Sequence, residues 1–266
     1  MSVFRDNLFS GKVALVTGGA TGIGRGIALA LAQHGADVAI ASRNQDNLQS
    51  AARQIAESTG RRCLPIVADV RQPEAVGLAV NRVVTELGSL EVLVNNAAGN
   101  FFCPSDSLSP NGFGTVIDID AKGTWNVSRA AYDAWQKDHG GQILNISATL
   151  HHGGTPGQAH VAAAKAAVDA LTRTLAVEWG PLGIRVNAIA PGPIGDTEGV
   201  RRLLPGEAAE KLRAAIPTRK LGAIADIVNL ALFVLSEAGA NVNGAILVCD
   251  GGLSLAGRFL PGLGPN

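Results

Sequence analysis

A surplus of charge of either sign is what this 266-residue chain most plainly lacks, with 22 basic residues against 22 acidic ones. Balanced charge gives no general attraction to nucleic acid, an acidic polymer or an anionic membrane, so any anion must be recognised locally. Cysteine is scarce as well. Cys63, Cys103 and Cys249 are odd in number, widely spaced and without Cys-x-x-Cys or Cys/His ligand spacing. That argues against a disulfide framework or a structural zinc, and fits thiols kept reduced in a cytosol. Long apolar runs are missing too: the most apolar helical stretch, 159–177, is broken by Lys165, Asp169 and Arg173, which rules against a membrane span. The first ten residues show no basic-then-apolar signal, and the ending Leu-Gly-Pro-Asn carries no peroxisomal or lipidation address. The expectation is a soluble, cytoplasmic protein with no metal.

What is present is an alternation of short β-branched runs and longer helical patterns. Val13–Thr17 reads as a buried strand, and Gly22–His34 as a helix with Ile23, Ile27, Ala30 and Leu31 on one face. Strand Asp37–Ala41, helix Gln45–Ser58, strand Cys63–Ala68 and helix Pro73–Leu87 follow. Strand Leu90–Asn95 then leads to a helix from about Asn111 to Lys137, strand Gln142–Ser147 and an alanine-rich helix from Gln158 to about Trp179. Strand Ile184–Ile189, helix Ala223–Ser236 and strand Ala245–Val248 close the pattern. Apolar strands separated by helices require a parallel sheet covered on both faces. Right-handed crossovers make it one α/β domain with a doubly wound, Rossmann-like sheet. The long irregular segment 191–221 would lie at the carboxyl edge of that sheet as a substrate loop.

Thr17-Gly18-Gly19-Ala20-Thr21-Gly22-Ile23-Gly24 joins the first strand to the first helix. Glycines there give a tight turn and let the backbone approach a pyrophosphate, whose charge meets the helix's unpaired N–H groups. Gly18, Thr21, Gly22, Ile23 and Gly24 are therefore candidate cofactor residues. The second strand ends in Ser42-Arg43. A carboxylate here would accept from the ribose 2′-hydroxyl of NAD; the forked cation of Arg43 instead suits a 2′-phosphate and favours NADP(H). Asp69, with Val70 beside it, ends the third strand and can accept from the adenine amino group, or else cap the next helix. Lys165 is the sole lysine or arginine in the first half of the alanine-rich helix. By itself it is either a solvated charge or a cation held against a ligand.

Taken together, Thr17–Gly24, Asn95-Asn96-Ala97-Ala98-Gly99, Arg185-Val186-Asn187, Pro191-Gly192-Pro193-Ile194 and Asp250-Gly251-Gly252 resemble the short-chain dehydrogenase/reductase family over nearly the whole chain. The resemblance implies that Asn95, Pro191, Gly192, Ile194 and Thr197 border the cofactor, that Lys165 holds the nicotinamide ribose, and that the protein is a homotetramer joined through the helices at 111–137 and 158–179. The family's chemistry usually rests on an asparagine, a serine, a tyrosine and a lysine, the tyrosine four residues before the lysine. Here those positions hold Asp120, Ala148, Val161 and Lys165. Only the lysine survives, and Ser147 lies one residue off, on the other side of a strand.

Three such losses mean either a binding scaffold or a proton that no longer goes to a carbonyl oxygen. Ala97–Phe101, Ile117–Asp120 with Gly123-Thr124, Asn126–Arg129 and Glu178-Trp179-Gly180-Pro181 resemble the peroxisomal-type branch of the 2,4-dienoyl-CoA reductases, as do 60–65, 147–150 and 192–202. That branch lacks the tyrosine and has an aspartate at the asparagine position. The resemblance implies NADPH-dependent reduction of an acyl-CoA thioester in unsaturated fatty acid oxidation. Asp120 and Lys165 would be catalytic, and Arg71, Phe101, Ser109, Asn111 and Arg202 would contact the substrate. Another short-chain oxidoreductase on an activated carbonyl or enoyl substrate, and an NADP-binding scaffold, stand as alternatives. Asp120 also has a plain reading, a helix carboxylate bonded to a nearby backbone kink. His160 sits one step off the lost tyrosine's face and reads as packing or substrate lining. The His151–His152 pair, without carboxylate partners at metal spacing, reads as loop surface.

Overall fold

Val13–Thr17 (β1) is buried along its whole length, which a strand achieves only with neighbours on both edges and layers on both faces. The structure is a computed structural model describing residues 4–197 and 207–256. It places β2 (Asp37–Ser42) on one side of β1 and β4 (Val92–Asn95) on the other. With β3 (Cys63–Val67), β5 (Gly141–Ile146), β6 (Ile184–Pro191) and β7 (Ile246–Cys249), they form one parallel sheet in the order β3-β2-β1-β4-β5-β6-β7. The order reverses between β1 and β4, which opens a crevice at their carboxyl ends.

Each face carries its own helices. α1 (Gly22–Gln33), α2 (Gln45–Thr59) and the helix Ile224–Leu235 bury Ile27, Leu31, Leu48, Ile55, Ile227 and Leu235 on one side. α3 (Pro73–Leu87) and the long helices after β4 and β5 bury Val80, Val83, Val127, Leu175 and Trp179 on the other. Their ends follow local chemistry. Asn44 caps α2 by accepting from Asn47 N at 2.9 Å, and Pro73 occupies the first turn of α3, where no N–H is missed. Among the described residues no helix is long and apolar enough to cross a membrane.

Two expectations change. β6 runs to Pro191, past Ile189, because β7 pairs Ala190 with Val248 and Pro191 with Cys249. The single helix expected from Asn111 to Lys137 is α4 (Pro110–Ile117), a π-helical turn (Asp118–Lys122), α5 (Gly123–Ala131), a second π turn (Tyr132–Gln136) and α6 (Lys137–His139). A π turn inserts a residue without breaking the apolar pattern, so periodicity passes over it. The alanine-rich helix, Ala159–Trp179, is α7.

Candidate active site

The crevice is lined by the ends of four strands. β1 gives Gly18 and Thr21 in its following turn, β2 gives Ala41, Ser42 and Arg43, β3 is followed by Ala68, Asp69 and Val70, and β4 by Asn96, Ala97 and Ala98. Gly18 N donates to Ala41 O at 2.7 Å, which folds the turn back across the sheet. A side chain at Gly24 would collide with Asn96 and with the Gly18 carbonyl, so only glycine lets α1 start this close. The cradle and the free N–H groups of α1 fit a dinucleotide pyrophosphate. Ile23 instead packs against the core beneath.

Asn95 and Asn96 point to opposite sides. Asn95 points inward: its Nδ2 donates to Ser128 Oγ and Asn145 Oδ1, each at 2.9 Å. Asn145 donates onward to Thr172 Oγ1 at 2.8 Å. This buried polar chain ties β4, β5, α5 and α7 together and commits the Asn95 side chain to the interior. Asn96 faces the crevice and holds the glycine turn through Thr17 O at 3.0 Å. Alternation along a strand was the signal for this, since adjacent side chains cannot both face one side.

Asp69 is also engaged. Arg71 donates to it from Nε, from Nη2 at 2.5 Å and from its own backbone N–H. That guanidinium, bonded to Asp69, holds its carboxyl below the usual range against partial burial, with Arg43 adding a smaller effect. Arg71, expected on the substrate, is thus locked at the crevice wall. Pro191, Gly192, Ile194 and Thr197 lie at the end of β6, two strands along the same edge from β4. Gly192 must be glycine because a Cβ would overlap the Asp250 backbone, and Thr197 Oγ1 donates to Ile194 O at 2.7 Å. Arg202 lies outside the described residues.

Between these two walls the π turn delivers Asp120. Its carboxylate is 1% exposed, Oδ1 accepting from Gly99 N at 2.7 Å and Oδ2 lying 3.0 Å from Lys165 Nζ. Lys165 also donates to Ile146 O at 2.9 Å. The Asp120–Lys165 approach pairs their charges without the alignment of a hydrogen bond, so Oδ2 keeps an unfilled acceptor position. Asp120 thus ties down the backbone at Gly99 and faces the buried Lys165 side chain. One helical turn before Lys165, Val161 is 3% exposed and packs on Val116, Ala164, Ile117 and Leu150.

The loop after Gly99 is stapled to the start of α7. Phe101 O accepts from Gln158 Nε2 at 3.2 Å and lies 3.1 Å from His160 Nε2, and the Phe101 and His160 rings overlap at 4.3 Å between centroids. His160 is fully buried, a packing residue that fixes Phe101. Ser109 accepts from Gly112 N at 3.0 Å as the cap of α4, and Asn111 lies exposed in that first turn. The His151–His152 pair departs from its expected place on the surface: His151 Nε2 lies 2.8 Å from Asp169 Oδ2 in the buried face of α7. Cys63 is set apart from such chemistry, since burial pushes its thiol up to about 12.

A family model described as enoyl-(acyl carrier protein) reductase matches residues 18–254. The peroxisomal 2,4-dienoyl-CoA reductase [(3E)-enoyl-CoA-producing] of Danio rerio is 51% identical, covering 94% of this chain and 84% of that protein. The crystal structure of a short chain dehydrogenase from Bacillus anthracis is 39% identical with a TM-score of 0.88, covering 96% of this chain and all of that one. A structure from Beutenbergia cavernae with bound NADP at low occupancy is 33% identical with a TM-score of 0.88, covering 95% and 100%. With its glycine turn, its crevice at the β1/β4 reversal and its lysine on α7, the chain belongs to the short-chain dehydrogenase/reductase family and is an oxidoreductase that uses a nicotinamide cofactor.

Proposed function

We propose that the protein reduces 2,4-dienoyl-CoA to 3-enoyl-CoA with NADPH, in the β-oxidation of unsaturated fatty acids. The observation that carries this reading is the buried Asp120–Lys165 pair, 3.0 Å apart, with Val161 where a tyrosine acid would stand. When bound, the nicotinamide cofactor supplies hydride to C5 of the dienoyl thioester. Negative charge then spreads along the conjugated chain to the thioester oxygen, and a proton at C2 completes the 3-enoyl product. No alcohol forms, so no hydroxyl acid has to face a carbonyl oxygen. What the chain must supply is positive charge near the thioester oxygen and a proton near carbon. Lys165 supplies the charge and holds the cofactor ribose. Asp120, with an open acceptor at Oδ2, seats a water that delivers the proton.

Arg43, exposed at the end of β2 with no carboxylate beside it in sequence, binds the 2′-phosphate of NADPH together with Ser42. Phe101 flanks the acyl chain and Asn111 contacts the CoA portion, with 191–221 as the substrate loop of a single domain; Arg71, held on Asp69, lines the crevice wall instead. Ser109 contributes through its cap. Ser109→Ala should lower the melting temperature by about 2–4 °C, the effect of losing about 1 kcal/mol, and leave KM for dienoyl-CoA unchanged. A raised KM at an unchanged melting temperature would return Ser109 to the substrate.

Phe113 and Trp125 are partly exposed along the helices from α4 to α5, and Val177 is exposed on α7. These apolar faces fit association into a homotetramer, which light scattering measures. Three free cysteines fit a reducing, cytoplasmic setting. The activity is tested by supplying 2,4-hexadienoyl-CoA and following NADPH absorbance. Oxidation of NADPH with formation of a 3-enoyl thioester is the expected result. No turnover with any short- or medium-chain dienoyl-CoA overturns the reading.

A further inference from the structure

The end of β5, the loop after it and α7 together hold a second cluster of polar side chains. Asp169 lies one turn beyond Lys165 and is 2% exposed. A carboxylate so buried must be held, and two side chains hold it. Ser147 Oγ donates to Oδ1 at 2.5 Å, and His151 Nε2 meets Oδ2 at 2.8 Å. The His152 ring stands edge-on to His151, with 4.6 Å between centroids. One ring nitrogen of each histidine and one oxygen of Asp169 thus lie within 4.8 Å of one another. His151 Nδ1 is buried with no hydrogen-bond partner, so this imidazole is not satisfied by the protein alone.

We propose that His151, His152 and Asp169 form a binding site for a divalent transition-metal ion, with zinc as the best fit. Two imidazoles and one carboxylate suit borderline ions, whereas magnesium and calcium take sets of oxygens. Three protein ligands leave the fourth position to water. Ser147 is the outer partner: by filling Oδ1 it fixes the carboxylate and presents Oδ2. Asp250 adds favourable charge, since its carboxylate lies close enough to His152 to feel it. Metal–ligand bonds of about 2.0–2.2 Å at tetrahedral angles require the 2.8 Å His151–Asp169 pair to open slightly and His152 to approach, and both histidines sit on a partly exposed loop, 150–156. Bound, the ion clamps the loop that carries Ala148 and Leu150, and Leu150 packs against the cluster of Val116, Val161 and Ala164.

The test uses the full chain, chelator-treated and without any histidine tag, titrated with Co²⁺ and then Zn²⁺. One Co²⁺ per chain is expected, with the intense visible absorption of a four- or five-coordinate ion, bleached when Zn²⁺ replaces it. His152→Ala, on the partly exposed loop, should raise Kd at least tenfold while the far-UV spectrum stays native. Ser147→Ala should raise it by about tenfold or more through the outer partner alone. Absence of stoichiometric binding at micromolar ion, or undiminished binding in His152→Ala, overturns the proposal.

Discussion

Asp120→Ala is expected to lower kcat by about a hundred- to ten-thousand-fold, the range for loss of a positioned proton-transfer group. It removes the acceptor for Gly99 N–H and leaves Lys165 as a buried ammonium whose nearest carboxylate, 3.0 Å away, is gone. Breaking a buried pair in this way costs about 3–5 kcal/mol, so the melting temperature should fall as well. Asp120→Asn separates the two effects. Its amide oxygen still accepts from Gly99, and only the charge and the open acceptor at Oδ2 are lost. If the carboxylate seats the proton-delivering water, Asp120→Asn stays slow although it melts closer to the parent. If it recovers most of the parent's kcat, the carboxylate only holds the Gly99 loop and the proton comes from elsewhere. Adding Lys165→Met to Asp120→Asn should cost little more than the worse single change, because the two side chains act as a unit.

The fold was legible in the sequence because its strands are buried on both faces. Val13–Thr17 and Val92–Asn95 are continuous apolar runs that no surface strand would carry, and Pro73 and the glycines mark where helices begin. The site was legible only through resemblance. Asp120 and Lys165 are far apart in sequence, and no spacing rule brings them to 3.0 Å; the π turn at Asp118–Lys122 that carries Asp120 leaves no mark on an apolar pattern. The double asparagine reads as one motif, while strand geometry sends the Asn95 side chain into the sheet and that of Asn96 to the crevice. The place of His151 was not legible either. Its carboxylate partner, Asp169, follows it by eighteen residues across a loop and about three turns of helix, beyond the reach of any local ligand spacing.

Arg43→Asp should reverse the cofactor preference, lowering kcat/KM with NADPH by about a hundredfold or more and raising it with NADH. A guanidinium on a phosphate makes charge-assisted hydrogen bonds worth about 1.5–3 kcal/mol each. Losing one or two of them, with a carboxylate now repelling the 2′-phosphate, amounts to at least a hundredfold at about 1.4 kcal/mol per decade. Arg71 cannot take over, because its guanidinium is committed to Asp69 at 2.5 Å. The new carboxylate can accept from the 2′-hydroxyl of NADH, as acidic residues at this strand end do, so the gain with NADH separates a change of specificity from simple damage. Arg43→Ala is the control: it should lose NADPH affinity without gaining NADH. Stability should barely move, since Arg43 is exposed. Added salt should erode the parent's preference for NADPH and leave that of Arg43→Ala flat, because screening acts on the charge that the alanine lacks. An unchanged preference in Arg43→Asp would remove the 2′-phosphate from Arg43 and with it the case for NADPH drawn from this strand end.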